Sequence, residues 1–379
     1  MKLKKNHREM KIGILTFHNA INYGAVLQCY ALKEFLAQRG HEVQVIDYRN
    51  PYTEDYKKIL PWVPLLEEKG IVGKLKFIIK SVFLYSKRRR ICKVFKAFVD
   101  YRLNTTPSYH SASEIPTTFD CIVFGSDQIW NPRLCGGFDP VFYGQFYKGR
   151  TKFVVYAASL GNPSLIKDFE WNEIGRLIGV FDCISVRELN LKHAMENRFS
   201  ISVTQCIDPT LLVNPDILSG IAKSPDIGDY VFMYNVQRDD AAEGFADYIS
   251  KKINCKVVIG QSKPQMRNLR KNQNHLLVEM ASPEEFLGLI KNAKIIIGNS
   301  FHSIAISIAL KKDFYSIDCR KPERVKSLLN QLGLIDRHVK STYRNIILKN
   351  VDYSIAERKL AVIRDSSINY LKEAGLLMN

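Results

Sequence analysis

His302 lies in "GNSFHSIAISIAL", where a hydrophobic run that reads as a buried strand passes through Gly298, Asn299 and Ser300 into apolar residues at helical spacing. At such a strand-to-helix turn the helix dipole disfavours a charged imidazole, which suits a group that exchanges protons near neutrality. A lone histidine is also commonly structural, and the residue alone leaves both roles open. Arg187, in "ISVRE", stands just past another strand. Its guanidinium is always charged and can grip a carboxylate or phosphate with two parallel bonds, although the adjacent Glu188 could simply pair with it. "VFGSDQIWNP" ends a strand with Ser126, Asp127, Gln128 and Trp130. Polar groups beside a flat ring suit a sugar; a capped helix start with Trp130 in the core fits the same residues. "FHNAINYGAVLQ" contributes Asn19, Asn22, Tyr23 and Gly24, a polar turn whose free N–H groups could receive an anion. It has neither the GxGxxG nor the P-loop pattern, and a plain tight turn reads equally well.

The elements that must position these residues alternate. "KIGILTF" is a strand, "GAVLQCYALKEFLAQRG" an amphipathic helix ended by Gly40, and "HEVQVIDY" the next strand, closed by Pro51. Short apolar strands follow in "FDCIVFGSD", "TKFVVYAASLG" and "DCISVRE", with one more expected before "CIDPTLLVNP". The alternation resumes with "DYVFMYNV", a helix around "AAEGFADYISKKI", "KVVIG", a helix at "SPEEFLGLIKNA" with a Ser-Pro start and an acidic first turn, "KIIIG", and "FYSID". The fold class expected is α/β: two doubly wound, Rossmann-like domains facing a cleft, an architecture resembling that of GT-B glycosyltransferases. The domains are expected at 1–212, on the acceptor side, and 213–345, on the donor side. A helical segment at 346–379 would pack back on the first domain. Function belongs beyond the carboxyl ends of the strands, in the cleft between domains.

Composition narrows the class. The chain has 379 residues, 46% of them hydrophobic, so it can bury two sizeable cores, and no apolar run is long enough to span a bilayer. The start "MKLKKNHREMKIGILTFHNA" runs straight into a strand and does not read as a signal peptide. Eight cysteines without CxxC pairs argue for reduced thiols in a cytoplasmic protein, with no metal site. The net charge is +17, and residues 69–102, within a basic helical insertion at about 55–105, hold eleven Lys or Arg against one acid, Asp100. Leu75, Ile78, Ile79, Val82 and Phe83 recur there on a helical face. Such a helix could lie on an anionic membrane through residues 74–96, hold an anionic substrate, or be a solvated helix with its apolar face on the core. No nucleic-acid motif accompanies it, and nucleic acid is not an expected partner.

Taken in order, "NYGAVLQCYAL", "FDCIVFGSDQIWNP", "VVYAASLG", "ISVRE", "DPTLL" and "GNSFHSIAISIAL" resemble the polysaccharide pyruvyl transferase family over about residues 11–318. The resemblance implies a GT-B-like fold and transfer of the enolpyruvyl unit of phosphoenolpyruvate onto two sugar hydroxyls, giving a cyclic ketal and phosphate. It implies that His302 is catalytic and that Arg187 holds the donor. It groups Asn299, Ser300, Phe301, Asn19, Asn22, Tyr23 and Gly24 with donor binding, and Ser126, Asp127, Gln128, Trp130 and Ser159 with acceptor binding. No cofactor beyond phosphoenolpyruvate as co-substrate is implied. The acceptor would be a sugar, on a lipid-linked oligosaccharide where surface glycans are built at the inner face of the membrane. Two positions depart from the family pattern. Ser300 stands where an arginine is familiar before the Leu-His pair, here Phe301-His302, and Ala25 replaces an acid after Gly24. A nucleotide-sugar GT-B glycosyltransferase and a non-catalytic glycan-binding relative are the alternatives. On the leading reading, His302 should face Arg187 across an open, positively charged gap between the lobes.

Overall fold

The computed structural model describes residues 9–68, 70–235, 240–261, 274–318, 323–340, 342 and 346–378. The basic start of the chain (1–8) and Lys69 lie outside them. Among the described residues seven strands form the first sheet: β1 (Lys11–Leu15), β2 (Glu42–Tyr48), β3 (Thr105–Tyr109), β4 (Cys121–Phe124), β5 (Lys152–Ala158), β6 (Cys183–Val186) and β7 (Thr204–Gln205). Their order is β3-β2-β1-β4-β5-β6-β7, with every pairing parallel. The second sheet holds β8 (Tyr230–Tyr234), β9 (Lys256–Gln261), β10 (His275–Glu279), β11 (Ile295–Gly298), β12 (Phe314–Ile317) and β13 (His338–Val339) in the order β10-β9-β8-β11-β12-β13, again parallel throughout. Both are doubly wound. The direction of winding reverses between β1 and β4 in one sheet and between β8 and β11 in the other, and ligands of such sheets sit at those points. Two facing α/β lobes of this kind make a GT-B-like molecule.

The helix Tyr23–Ala37 departs from the amphipathic expectation. Residues Tyr23 to Leu32, Phe35 and Leu36 are all buried, because the second lobe covers the face that the first sheet leaves open. Tyr23 stacks on Phe286 at 4.2 Å, and its hydroxyl donates to the carbonyl of Ala281 at 2.9 Å. One continuous hydrophobic cluster therefore runs through both lobes, from Ile12 and Val26 to Phe286 and Ile304. Helix ends are closed by the residues that sequence would choose. Gly40 takes a left-handed φ of 83° past the first helix, and Ser282 with Glu285 forms a capping box at Pro283–Asn292.

The insertion between β2 and β3 forms the helices Pro51–Asp55, Trp62–Glu67 and Gly70–Arg102. The last helix, Tyr353–Glu373, ties the lobes together. Near its start Tyr353 donates to the carbonyl of Lys312 in the second lobe (2.6 Å). Further along, Arg364 donates to the carbonyl of Leu211 through Nε and Nη2 (3.1 and 2.8 Å), Ser367 accepts from the N–H of Ile207 (2.9 Å), and Tyr370 donates to the carbonyl of Val155 (2.6 Å). The Val155 carbonyl also receives Ser185 Oγ at 2.9 Å, so it keeps a donor if the phenol is removed. Tyr370→Phe should therefore cost only about 0.5–1.5 kcal/mol in urea unfolding. A loss of several kcal/mol would mean that this bond anchors the last helix.

Candidate functional site

Asp208 stands where the two lobes meet. It follows β7 and caps the short helix Pro209–Leu212, with Pro209 at the first position. Its Oδ1 accepts from Thr210 N and Oγ1 (3.0 and 2.7 Å), and its Oδ2 accepts from Arg187 Nη1 at 2.9 Å. His302 Nε2 approaches the same Oδ2 at 3.3 Å, in ion-pair range but poorly aligned as a hydrogen bond. Burial by itself would raise the pKa of this carboxyl. The charges of His302 and Arg187 and the Thr210 hydroxyl outweigh that and hold it well below the usual aspartate range. One carboxylate thus joins a cation after β6 of the first sheet to a ring after β11 of the second.

Arg187 is buried and already occupied. Its Nε donates to Glu188 Oε1 at 2.9 Å, so the bland pairing with Glu188 does occur, and Asp127 Oδ1 lies 3.8 Å from Nη1. Its guanidinium covers the Phe301 ring at 4.3 Å, with Arg324 beyond the same ring at 5.9 Å. Nη2 has no partner. Burial pushes its pKa down, but the three surrounding carboxylates push it further up, so it stays charged. His302 is buried as well, 6% exposed. Gly24 makes room for it: a Cβ there would fall 2.1 Å from Nδ1 and 2.3 Å from Cγ. The expected open, positive gap is therefore corrected. The ring and the guanidinium share a buried carboxylate, with three acids around one arginine, and the crevice beside them is water-sized, about 20 Å³, lined by Arg187, Asp208, Phe301 and Arg324 among others.

The roomy cavity lies elsewhere. It measures about 520 Å³, large enough for a sugar, and every residue lining it falls between Thr16 and Phe142, in the first lobe. This cavity lies within the first lobe and not between the domains. Asn19, Asn22, Asp127 and Gln128 line it, as do Lys57, Lys80, Arg88 and Arg133 from the insertion and the helix after β4. Asp127 is the hinge of the arrangement: it borders this cavity and also approaches Arg187. His18, which sequence reading passed over, borders it too, with Nε2 on Asp47 Oδ1 at 2.7 Å and Nδ1 3.2 Å from the carbonyl of Thr16. Against the effect of burial, hydrogen bonds from His18, Arg49 and Ser108 hold the Asp47 carboxyl far below its ordinary range.

Several expected ligand contacts prove structural. Trp130 is fully buried, stacked on Tyr143 at 5.7 Å with Nε1 donating to the carbonyl of Phe142 (3.1 Å), so no sugar stacks on it. Tyr23 is part of the core between the lobes. Ser126 Oγ donates to the carbonyl of Ala157 (3.0 Å), and Ser159 Oγ accepts from Gly161 N (3.0 Å), both out of contact with solvent. The N–H groups of the first turn are not free: Asn22 Oδ1 takes those of Gly24 and Ala25 (3.0 and 3.4 Å). Ser300 likewise caps its helix, accepting from Ser303 N at 3.4 Å, so its hydroxyl does not replace the missing arginine. Asn299 is half-buried beside it, and Phe301 is buried between arginines. Asp208 and Arg324 are the site residues that sequence reasoning missed. Asp-Pro after a strand end signals a capping carboxylate at that place; nothing local marks Arg324. Among the described residues, no group of three or more His, Cys, Asp or Glu is arranged to hold a metal ion.

Comparison with known proteins adds a family. The sequence profile described as "Polysaccharide pyruvyl transferase" matches residues 22–321. No curated protein matches the chain. Solved structures with similar folds include the glycotransferase of kitacinnamycin (12% identity, 98% of both chains, TM-score 0.46). Others are the UDP-GlcNAc 2-epimerase from Methanocaldococcus jannaschii (13%, 93% of this chain and 99% of that, 0.46) and the glycosyltransferase SnogD from Streptomyces nogalater (12%, 97% and 98%, 0.41).

Two outcomes follow from the geometry. In an ordinary helix Gly→Ala stabilises by about 1 kcal/mol, but Gly24→Ala should destabilise by about 1–3 kcal/mol, because the new methyl meets a held ring. Adding His302→Ala should recover most of that loss; no recovery would mean that the ring is not the obstacle. The depressed Asp208 carboxyl contributes stability that is complete above about pH 4–5 and declines as pH falls through its folded value. Asp208→Asn should therefore lower stability by about 3–5 kcal/mol at neutral pH, with the gap to wild type narrowing in acid. A gap independent of pH would show that its charge does not hold the cluster.

Proposed function

Because the chain belongs to the polysaccharide pyruvyl transferase family, we propose that it moves the pyruvyl group of phosphoenolpyruvate onto two hydroxyls of a sugar in a surface-glycan precursor. The observation that carries this reading is the Arg187–Asp208–His302 cluster. It stands at the carboxyl ends of strands from both lobes and approaches the 520 Å³ cavity through Asp127. The acceptor occupies the cavity with its hydroxyls toward Asp127. The donor enters at the crevice beside Phe301, where the unpartnered Nη2 of Arg187 and the guanidinium of Arg324 offer positive charge. Arg324 stands in for the cation absent at position 300. Admitting the donor requires the lobes to part where His302 meets Gly24, and closure then excludes water.

His302, held in place by Asp208, delivers a proton to the methylene carbon of the donor, and the cation that forms at C2 is attacked by the first hydroxyl. Phosphate then leaves with the electrons of its C2–O bond while the second hydroxyl closes the ketal. Of the two hydroxyl protons, one replaces the proton given to carbon and the other departs with phosphate. Asp127 takes the first of them and gives it up to solvent when the lobes part, from which His302 regains its proton, and the carboxylates around Arg187 stabilise the developing cation. Lys57, Lys80, Arg88 and Arg133 suit an acceptor carrying a pyrophosphate, as on a lipid carrier. The free thiols, with that of Cys206 pushed up to about 12 by burial, fit a reducing cytoplasmic setting.

Phosphate release from phosphoenolpyruvate, with galactosyl, glucosyl and N-acetylmannosaminyl acceptors, tests the reading, and mass spectrometry of the product should show an added carboxyethylidene group. His302→Gln should lower the rate at least about 100-fold with the fold intact. Near-wild-type turnover in that variant removes the ring from the mechanism, and transfer from a nucleotide sugar instead would replace the donor.

A further inference from the structure

The helix Gly70–Arg102 has two apolar sides. Ser81, Leu84, Ile91, Phe95, Phe98 and Val99 are buried on one. On a helical projection Ile71, Val72, Leu75, Ile79, Val82 and Phe83 fall within an arc of about 120° on the opposite side. These are solvent-exposed, Ile71 by 86% and Phe83 by 72%. The face on which sequence reading placed Leu75, Ile79, Val82 and Phe83 is thus the outward one, and the core takes the other. Past Phe83 the same outward arc continues as Arg89, Arg90 and Lys93, all exposed, with Lys96 at its edge paired to Asp100 at 2.6 Å. The stripe is apolar for about 18 Å and then basic.

We propose that this outward stripe docks the protein on an anionic lipid bilayer, the apolar half entering the headgroup–acyl boundary and the basic half lying on the phosphates. Charge selects the occupant. A second copy paired antiparallel over the apolar half would leave Arg89, Arg90 and Lys93 unanswered, and nucleic acid offers nothing to the six exposed apolar side chains, whereas an anionic bilayer satisfies both halves. Among the described residues no helix is long and apolar enough to cross a membrane, so the contact is peripheral. The inner side of the same helix walls the 520 Å³ cavity through Phe77, Lys80, Ser81, Leu84 and Arg88. Docking therefore brings that cavity to the membrane surface, where a lipid-linked acceptor can reach it; this last step rests on the acceptor reading above, and the docking does not.

Sedimentation of the full chain with vesicles tests it, comparing phosphatidylcholine alone with equimolar phosphatidylcholine and phosphatidylglycerol. The wild type should bind the anionic vesicles at least tenfold more tightly. Leu75→Ser with Phe83→Ser, and separately Arg89→Glu with Lys93→Glu, should each weaken that binding at least tenfold, while ketal formation on a water-soluble acceptor stays unchanged. No vesicle binding, binding indifferent to the serine pair, or a dimer that the serine pair dissolves would each overturn the proposal. Loss of activity on every acceptor with vesicle binding retained would instead overturn the functional reading and leave docking standing.

Discussion

A carboxylate taken fully out of water must be paired or protonated, and Asp208 is paired on every side. Thr210 fixes one oxygen from within the first lobe; Arg187 and His302 converge on the other from two different sheets. Much of the arrangement follows from that requirement. Phe301 lies against Arg187 and near Arg324, Gly24 must lack a side chain where the imidazole enters, and the turns after β6, β7 and β11 are held in mutual register. An uncompensated charge at this depth costs several kcal/mol, so the lobes are biased toward the closed arrangement.

The lobes divide the work unevenly. A space large enough for a sugar is enclosed by the ends of β1 and β4 and by the inserted helices, all in the first lobe, while the second contributes the phenyl group of Phe301 and the guanidinium of Arg324 to the small crevice beside Arg187. Asp127 borders the larger space and lies 3.8 Å from Arg187 of the smaller one, its backbone in the left-handed region at φ 71° and its carbonyl receiving the N–H of Ser159. Two unequal compartments thus approach one another through the Asp127–Arg187 pair.

Both sheets were legible in the sequence because parallel strands buried on both faces are short, continuous apolar runs ending in glycine or polar residues, as in "CIVFGSD" and "IIIGNS". β3 was not. It carries Pro107 at a sheet edge, and a proline argues against a strand unless the strand is known to be an edge. β10 is an edge strand without full burial. In the site, strand ends singled out His302, Arg187 and Asp127, which the structure links through Arg187 and Asp208. What sequence could not supply was which side chains face inward. Trp130 and a sugar-stacking tryptophan look alike in one dimension, and so do a capping asparagine and an anion-binding turn. The first helix read as amphipathic because nothing local says that a second lobe covers its other face. The inserted helix hid its outward stripe for the converse reason, since apolar residues on both sides blur any single period.

The helix from Tyr353 to Glu373 has a consequence for how the chain is made. It completes the covering of strands laid down far earlier, placing a phenol on Val155 and, just beyond its end, the carbonyl of Leu376 against His41. During synthesis the first sheet emerges long before residues 353–376 exist, so a patch that is dry in the finished molecule stays wet while the whole second lobe is being made. The first lobe emerges unfinished, and a segment translated long after its strands is the one that seals it.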